Sequence, residues 1–145
     1  MSTKFKFNPI TGNLDLVGDS GTQDALSAER LIVTRIAEED ISALKLVTAS
    51  EPNEVRISDP NAAFEDAQVL GLALNSATTG NEVQVLLSGA HTDPSFSSLT
   101  LNSKLFLGAT GSITQTAPTT GHQTDVGEYI GDNAVFIFRR QPIIL

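Results

Sequence analysis

Short apolar segments that alternate with polar residues and end at turn-forming residues run through the chain from residue 29 onward. The clearest example is residues 82–88, in which Val83, Val85 and Leu87 fall on one face of an extended strand. Clusters of glycine, asparagine, aspartate and proline separate such segments, and no apolar periodicity of helical type extends beyond two turns. The pattern therefore predicts an all-β fold, an antiparallel β-barrel or sandwich.

The predicted strands share apolar or β-branched residues at alternate positions. They are residues 31–36, 43–48, 55–57, 67–75, 82–88, 98–101, 104–107, 124–130 and 134–139. Asn102-Ser103 is predicted to be a two-residue hairpin turn, and residues 131–133 are predicted to form another hairpin. Pro142 should keep the apolar C-terminal segment from forming a central strand.

The first 29 residues differ from the rest. Their apolar positions are interrupted by Asn8-Pro9 and Thr11-Gly12-Asn13, and residues 18–27 are small and polar. We therefore predict an extended N-terminal arm and linker over residues 1–29, followed by a β-barrel domain over residues 30–145. Such an arm cannot hold a core of its own, so a partner subunit is expected to cover it; packing onto its own domain is the alternative.

Composition narrows the function classes. Charged residues are 18% of the chain, against about 25% in soluble proteins, and the net charge is −8. Residues 57–138 hold eight acids and one base, so no nucleic-acid partner is expected. The absence of cysteine excludes thiol catalysis, disulfides and Cys-ligated metals. No apolar run reaches the ~18 residues of a membrane span, and the N-terminus lacks a signal-peptide core. We therefore predict that the chain is made and kept in the cytosol, or assembled there into something larger.

Candidate chemistry is sparse. His91 with Asp93 lacks a third ligand, His122 with Asp125 lacks a Gly-x-Ser-x-Gly nucleophile motif, and residues 38–40 are three adjacent acids that point in different directions along an extended chain. No glycine-rich phosphate loop occurs, and the basic doublet at residues 139–140 either pairs with a neighbouring subunit or is a solvated strand end. We predict no catalytic, cofactor-binding or metal-binding residues, and therefore a structural or binding protein rather than an enzyme.

Two stretches resemble proteins of tailed phages. Residues 5–16, FKFNPITGNLDL, resemble the short N-terminal segment that opens many virion proteins. Residues 67–145 resemble small β-barrel capsid decoration (cement) proteins, whereas residues 36–64 depart from them more freely. The stretches that match are 71–74, 82–89, the run LFLGATGSITQTAP at 105–118, and VGEYIG at 126–131.

The resemblance implies a virion structural protein without catalytic residues. The function expected from it is capsid decoration: binding the major capsid protein on the outer head surface, as a homotrimer, and stabilising the head. Because the same type of barrel occurs in tail, baseplate and fibre-base proteins, the alternative is a tail or fibre-base adaptor that contacts tail or portal proteins. A carbohydrate-binding or hydrolytic domain is disfavoured, because sugar sites usually offer stacking aromatics and the chain has no Trp and one Tyr.

The expected partner-binding residues are apolar and lie at the two ends of the chain. The C-terminal ones could instead close the barrel. They are Phe5, Phe7, Ile10, Leu14 and Leu16 as anchors of the arm, and Ile143, Ile144 and Leu145 at the C-terminus.

Overall fold

A computed structural model describes residues 30–138 and 140–145, and the backbone of residues 4–8 and 13–17. The chain divides into two compact units, Met1–Arg30 and Leu31–Leu145. The predicted domain extents, 1–29 and 30–145, stay a prediction. Ile10, most of the predicted linker and Arg139 lie outside the described residues.

The first unit contains a two-stranded antiparallel ribbon. Strand β1 is Lys4–Asn8 and strand β2 is Asn13–Val17. Their register pairs Phe5 with Leu16 and Phe7 with Leu14. Directly paired positions of an antiparallel ribbon share a face, and so do positions two apart, so these four of the five predicted anchor positions lie on one face of the ribbon.

The second unit is built from short strands, one four-residue helix, and 3₁₀ turns at Pro94–Ser98 and Ala109–Gly111. The elements, in chain order, are β3 Leu31–Ala37, β4 Leu46–Glu51, β5 Glu54–Ile57, α1 Phe64–Ala67, β6 Gly71–Ala73, β7 Glu82–Thr92, β8 Lys104–Leu107, β9 Ile113–Thr114, β10 His122–Gln123, β11 Asp125–Gly131, β12 Ala134–Ile137 and β13 Ile143–Ile144.

Five of these strands close into a barrel. They follow the order β3-β5-β4-β6-β7, and a further pairing joins β7 back to β3. All pairings around the ring are antiparallel except β3 with β5, which is parallel and rests on two paired positions, Ile36 with Glu54 and Ala37 with Val55. The predicted all-β class and the barrel are confirmed, with this parallel seam as an addition to the antiparallel pattern.

The long strand β7 connects the barrel to a second layer of sheet. Residues 89–92 of β7 pair with β12, and the sheet continues through β11, β8 and β9. Val83 and Val85 of β7 lie in the core inside the barrel, whereas Leu86 lies in a second core between the barrel wall and the added strands. The register places Leu46, Leu72 and Leu86 side by side on that wall, and all three are fully buried.

Two predicted strands are wrong or too long, and one turn is confirmed. Residues 94–98 form a 3₁₀ turn instead of leading into a strand at 98–101, because Pro94 occupies its first position and Asp93 caps it. Of the strand predicted at 67–75, only Gly71–Ala73 is extended in a sheet. The hairpin at residues 131–133 is present, and Asp132 and Asn133 both have positive φ (54° and 60°), as a type I′ turn requires.

Candidate interaction surface

The C-terminal apolar residues lie on the surface and are held there by the backbone. Strand β13 pairs with β10, His122 opposite Ile144, and the Leu145 backbone N–H donates to the Gly121 carbonyl at 3.0 Å. Ile143, Ile144 and Leu145 are nevertheless 57%, 72% and 51% exposed. Strand β13 is not one of the five strands of the ring, so these residues do not close the barrel. The two residues of β13 and Leu145 after them are held by backbone hydrogen bonds and expose three apolar side chains, which is the character of a contact surface.

A second apolar surface covers the outer side of β12. Val135 and Ile137 are buried in the second core, so the alternate residues face away from it. Phe136 is exposed and its ring meets that of Phe138 edge-on, with centroids 6.3 Å apart. The guanidinium of Arg140 stands over the Phe138 ring, 4.8 Å from its centroid. Aromatic rings capped by an arginine are typical of surfaces that bind other proteins.

The neighbouring strands extend this surface. Phe136 lies between Glu128 of β11 and Ala90 of β7 in the register. Ile130 of β11 is also an exposed apolar residue. The outer sheet face, as we call Ala90, Ile130, Phe136 and Phe138 together, is therefore an apolar patch with two charged neighbours, Glu128 and Arg140.

The structure describes the backbone of four of the five expected arm anchors. Phe5, Phe7, Leu14 and Leu16 occupy the paired positions of the ribbon, and Ile10 lies outside the described residues. The eight predicted partner-binding residues thus belong to the ribbon unit and to the C-terminal strand, which the structure describes as separate units.

The two histidines and Asp93 have structural partners. The His122 Nδ1–H donates to the Pro60 carbonyl at 3.1 Å, and its ring packs edge-on against Phe64. The His91 ring packs against Phe96. Asp93 accepts the backbone N–H of Ser95 at 2.9 Å, and this hydrogen bond lowers the pKa of Asp93 below its ordinary value.

The three consecutive acids also act separately. Glu39 accepts the Ile57 backbone N–H at 2.9 Å, and Asp40 accepts the backbone N–H of Thr79, also at 2.9 Å. Glu38 lies 3.7 Å from Arg56. The acids thus tie one exposed turn to two parts of the fold, the end of β5 and the turn at Thr79.

The hydrogen bond of Arg56 to Asp66 is the largest cause of the raised pKa of Arg56. Within residues 30–138 and 140–145 no three histidine, aspartate or glutamate side chains gather in a group that could hold a metal ion. The described part of the chain also contains no helix of the length and apolarity needed to cross a membrane.

Sequence reasoning missed the outer sheet face. Its signal was present in residues 135–138, Val-Phe-Ile-Phe, an unbroken apolar run without the alternation expected of a strand that has one side in water. A strand that is apolar on both sides needs a cover on both sides. Here the second core covers one side, and Phe136 on the other side is exposed.

Comparison with known proteins gives a distant structural likeness and no sequence match. No family model matches the chain, and no curated protein matches it. Among solved structures, the head fibre gp8.5 N base of bacteriophage phi29 is similar, with a TM-score of 0.42 and 16% sequence identity, over 80% of this chain and 98% of that chain.

Proposed function

We propose that this chain is a non-enzymatic structural protein of a tailed-phage virion, a capsid decoration or cement protein that binds the major capsid protein on the outer head surface and stabilises the head. In this proposal it acts as a homotrimer, is made in the host cytoplasm, and needs no cofactor.

The observation that carries the proposal is the exposed C-terminal strand. Ile143, Ile144 and Leu145 place apolar surface in water on a strand whose backbone is already paired with β10. Binding through a surface that is already ordered loses little conformational entropy, so more of the gain from burying apolar area is left for affinity. A protein that holds neighbouring capsomers together needs such an ordered, low-charge contact.

The ribbon supports the same role. An isolated two-stranded ribbon is marginally stable in water, and one whose apolar positions share a face needs another surface to bury them. Phe5, Phe7, Leu14 and Leu16 are at those positions. In our proposal they anchor the ribbon, with Ile10, on a neighbouring protein of the shell.

Binding to heads is the test. Purified heads that lack the chain are titrated with the wild-type protein, with a variant lacking residues 1–17, and with the double variant Ile143→Asp, Ile144→Asp; pelleting with the heads measures the bound fraction. We expect saturable binding of the wild type and at least tenfold weaker binding of both variants. Leu101→Asp is the matched control, because Leu101 is an exposed leucine of the barrel unit outside both proposed contacts. Equal binding by all four proteins would contradict the proposal.

Labelling intact virions separates decoration from the alternative. An antibody against this chain should label the whole head surface, and quantitative gels should give hundreds of copies per particle. Label confined to the tail, with a low copy number, would overturn decoration and favour the tail or fibre-base adaptor, whose partners would be tail or portal proteins.

A further inference from the structure

Strand β3 leaves one side of the barrel partly open. It pairs with β7 along Leu31 to Ile36, but with β5 only at Ile36 and Ala37. The Ile36 backbone N–H donates across the β5 side, to the Asn53 carbonyl at 2.9 Å. Backbone groups of alternate residues point to the same side of a strand, so the N–H and C=O groups of Ile32 and Thr34 face the open side. The Thr34 carbonyl accepts from the Arg35 guanidinium at 3.0 Å, which leaves the Thr34 N–H and both groups of Ile32 for an added strand. Residues 31–35 thus form an open edge five residues long.

Most of this edge lacks the devices that usually protect a strand from pairing with another chain, and its one charged residue is Arg35, at the end nearer β5. Residues 31–34 read Leu-Ile-Val-Thr, without charge or proline, and Leu31 and Ile32 are 56% and 37% exposed. Natural sheets normally place lysine, proline or a short strand at such a position. An apolar, β-branched open edge is therefore suited to receive an added strand.

The segment of this chain that fits the edge is β1. It is five residues long, like the open edge, and within the described residues it pairs only with β2. Its sequence Lys-Phe-Lys-Phe-Asn carries two positive charges. Residues 31–145 hold 13 acidic and six basic side chains. At the end of the open edge that carries Arg35, Glu54 of β5 pairs with Ile36, and Glu51 of β4 pairs with Glu54. Strand β2, with Asp15, has the less complementary charge.

We infer that β1 of a second copy of this chain adds to the open edge of β3, so that each subunit both donates a ribbon and receives one. The inference rests on the homotrimer of the proposed function. Each subunit would contact the next one head to tail, and in a trimer three such contacts close into a ring. The ribbon anchors would then be shared between a sister subunit and the shell. A chain of this kind would form oligomers without any capsid.

Disulfide trapping tests the contact, and the absence of native cysteines makes it clean. One variant carries Thr34→Cys on the edge, and partner variants carry cysteine at each residue of β1 in turn. The two are mixed without heads, oxidised, and separated on non-reducing gels. Every crosslink between two single-cysteine chains joins two copies. We expect at least one β1 position to give a mixed dimer several-fold above the control acceptor Ser97→Cys, which is exposed on a 3₁₀ turn.

Two further experiments test whether the added ribbon comes from a second copy or from the same chain, and whether the contact needs the backbone N–H of the open edge. A chain with both cysteines should give crosslinked dimers and trimers; a fast-migrating closed monomer instead would mean that a chain receives its own ribbon, and would overturn the inference. Thr34→Pro removes an N–H of the open edge and should abolish oligomers in sedimentation, whereas Thr34→Val keeps the N–H and should retain them. Crosslinks no stronger than the Ser97→Cys control would also overturn it. Because no heads are present, a failed decoration function leaves these readings unchanged.

Discussion

Replacing Leu72 by alanine should destabilise the barrel unit through the wall that separates its two cores. Leu72 is fully buried between Leu46 and Leu86 on the side of the barrel that faces the second layer of sheet. Tyr129 and Val135 of that layer belong to the same core. The substitution keeps the strand and its hydrogen bonds and removes only packed side-chain atoms.

The expected loss in the free energy of unfolding follows from the three side-chain carbon atoms that the substitution removes. Each buried CH₂ contributes about 0.8 kcal/mol, which gives about 2.4 kcal/mol for transfer. A wall held by strands on both sides cannot collapse into the space, so the cavity brings the total to roughly 3–5 kcal/mol. For a unit of this size each kcal/mol lowers the melting temperature by about 4 °C, so the expected decrease is roughly 12–20 °C.

Urea and thermal unfolding of the isolated protein, followed by circular dichroism, measure the effect. Leu101→Ala is the matched control, because it removes the same atoms from a residue that is 55% exposed and should change the free energy of unfolding by less than about 0.5 kcal/mol. If the two variants differed by less than about 1 kcal/mol, the second core would not be a packed interior and the reasoning would be refuted.

Other perturbations reach different parts of the fold. Gly127→Ala should prevent soluble expression or lower the melting temperature by more than 10 °C, because a Cβ there would stand 1.9 Å from the Phe136 carbonyl; a melting temperature equal to wild type would contradict this. Thr124→Val should cost about 1–2 kcal/mol in urea unfolding, since the buried Thr124 hydroxyl donates to the Ala67 carbonyl at 2.8 Å; Thr124→Ser should keep most of the stability, and equal losses would argue against the hydrogen bond. Asp93 should titrate by NMR below the ordinary aspartate pKa, so its stabilisation of the 3₁₀ turn is present above the ordinary pKa and lost as the pH falls through the lowered one; a normal or raised midpoint would count against the cap.

The sequence predicted the fold class because alternation is a local property. Residues 82–88 and 134–137 alternate or run apolar over enough positions to identify strands without knowledge of their neighbours. The turn at Asp132 and Asn133 was also readable, since few residue types tolerate positive φ. What alternation cannot supply is the pairing order, so the closed ring and its parallel seam were beyond the sequence.

The candidate surface also has one part that the sequence predicted and other parts that depend on strand pairing. The apolar C-terminus was visible in the sequence because Ile143-Ile144-Leu145 follow a proline at the end of the chain. Its exposure, the ring pair of Phe136 and Phe138, and the open edge of β3 depend on which strands become neighbours. Those neighbours are distant in the sequence: Leu31 pairs with Ser88, and Ile32 with Leu86.

That distance has a consequence for how the protein is made. Leu31 is 57 positions before its partner Ser88, while the β11–β12 hairpin joins Tyr129 to Val135 across six. At about 5–20 residues per second of synthesis, the first strand of the ring waits roughly 3–11 s for the residue that completes its pairing. The barrel is therefore expected to close late, as β structures with long-range pairing do. During that interval the Leu-Ile-Val-Thr strand is presented on the nascent chain, which makes the rate of translation between residues 31 and 88 a determinant of the yield of correctly closed protein.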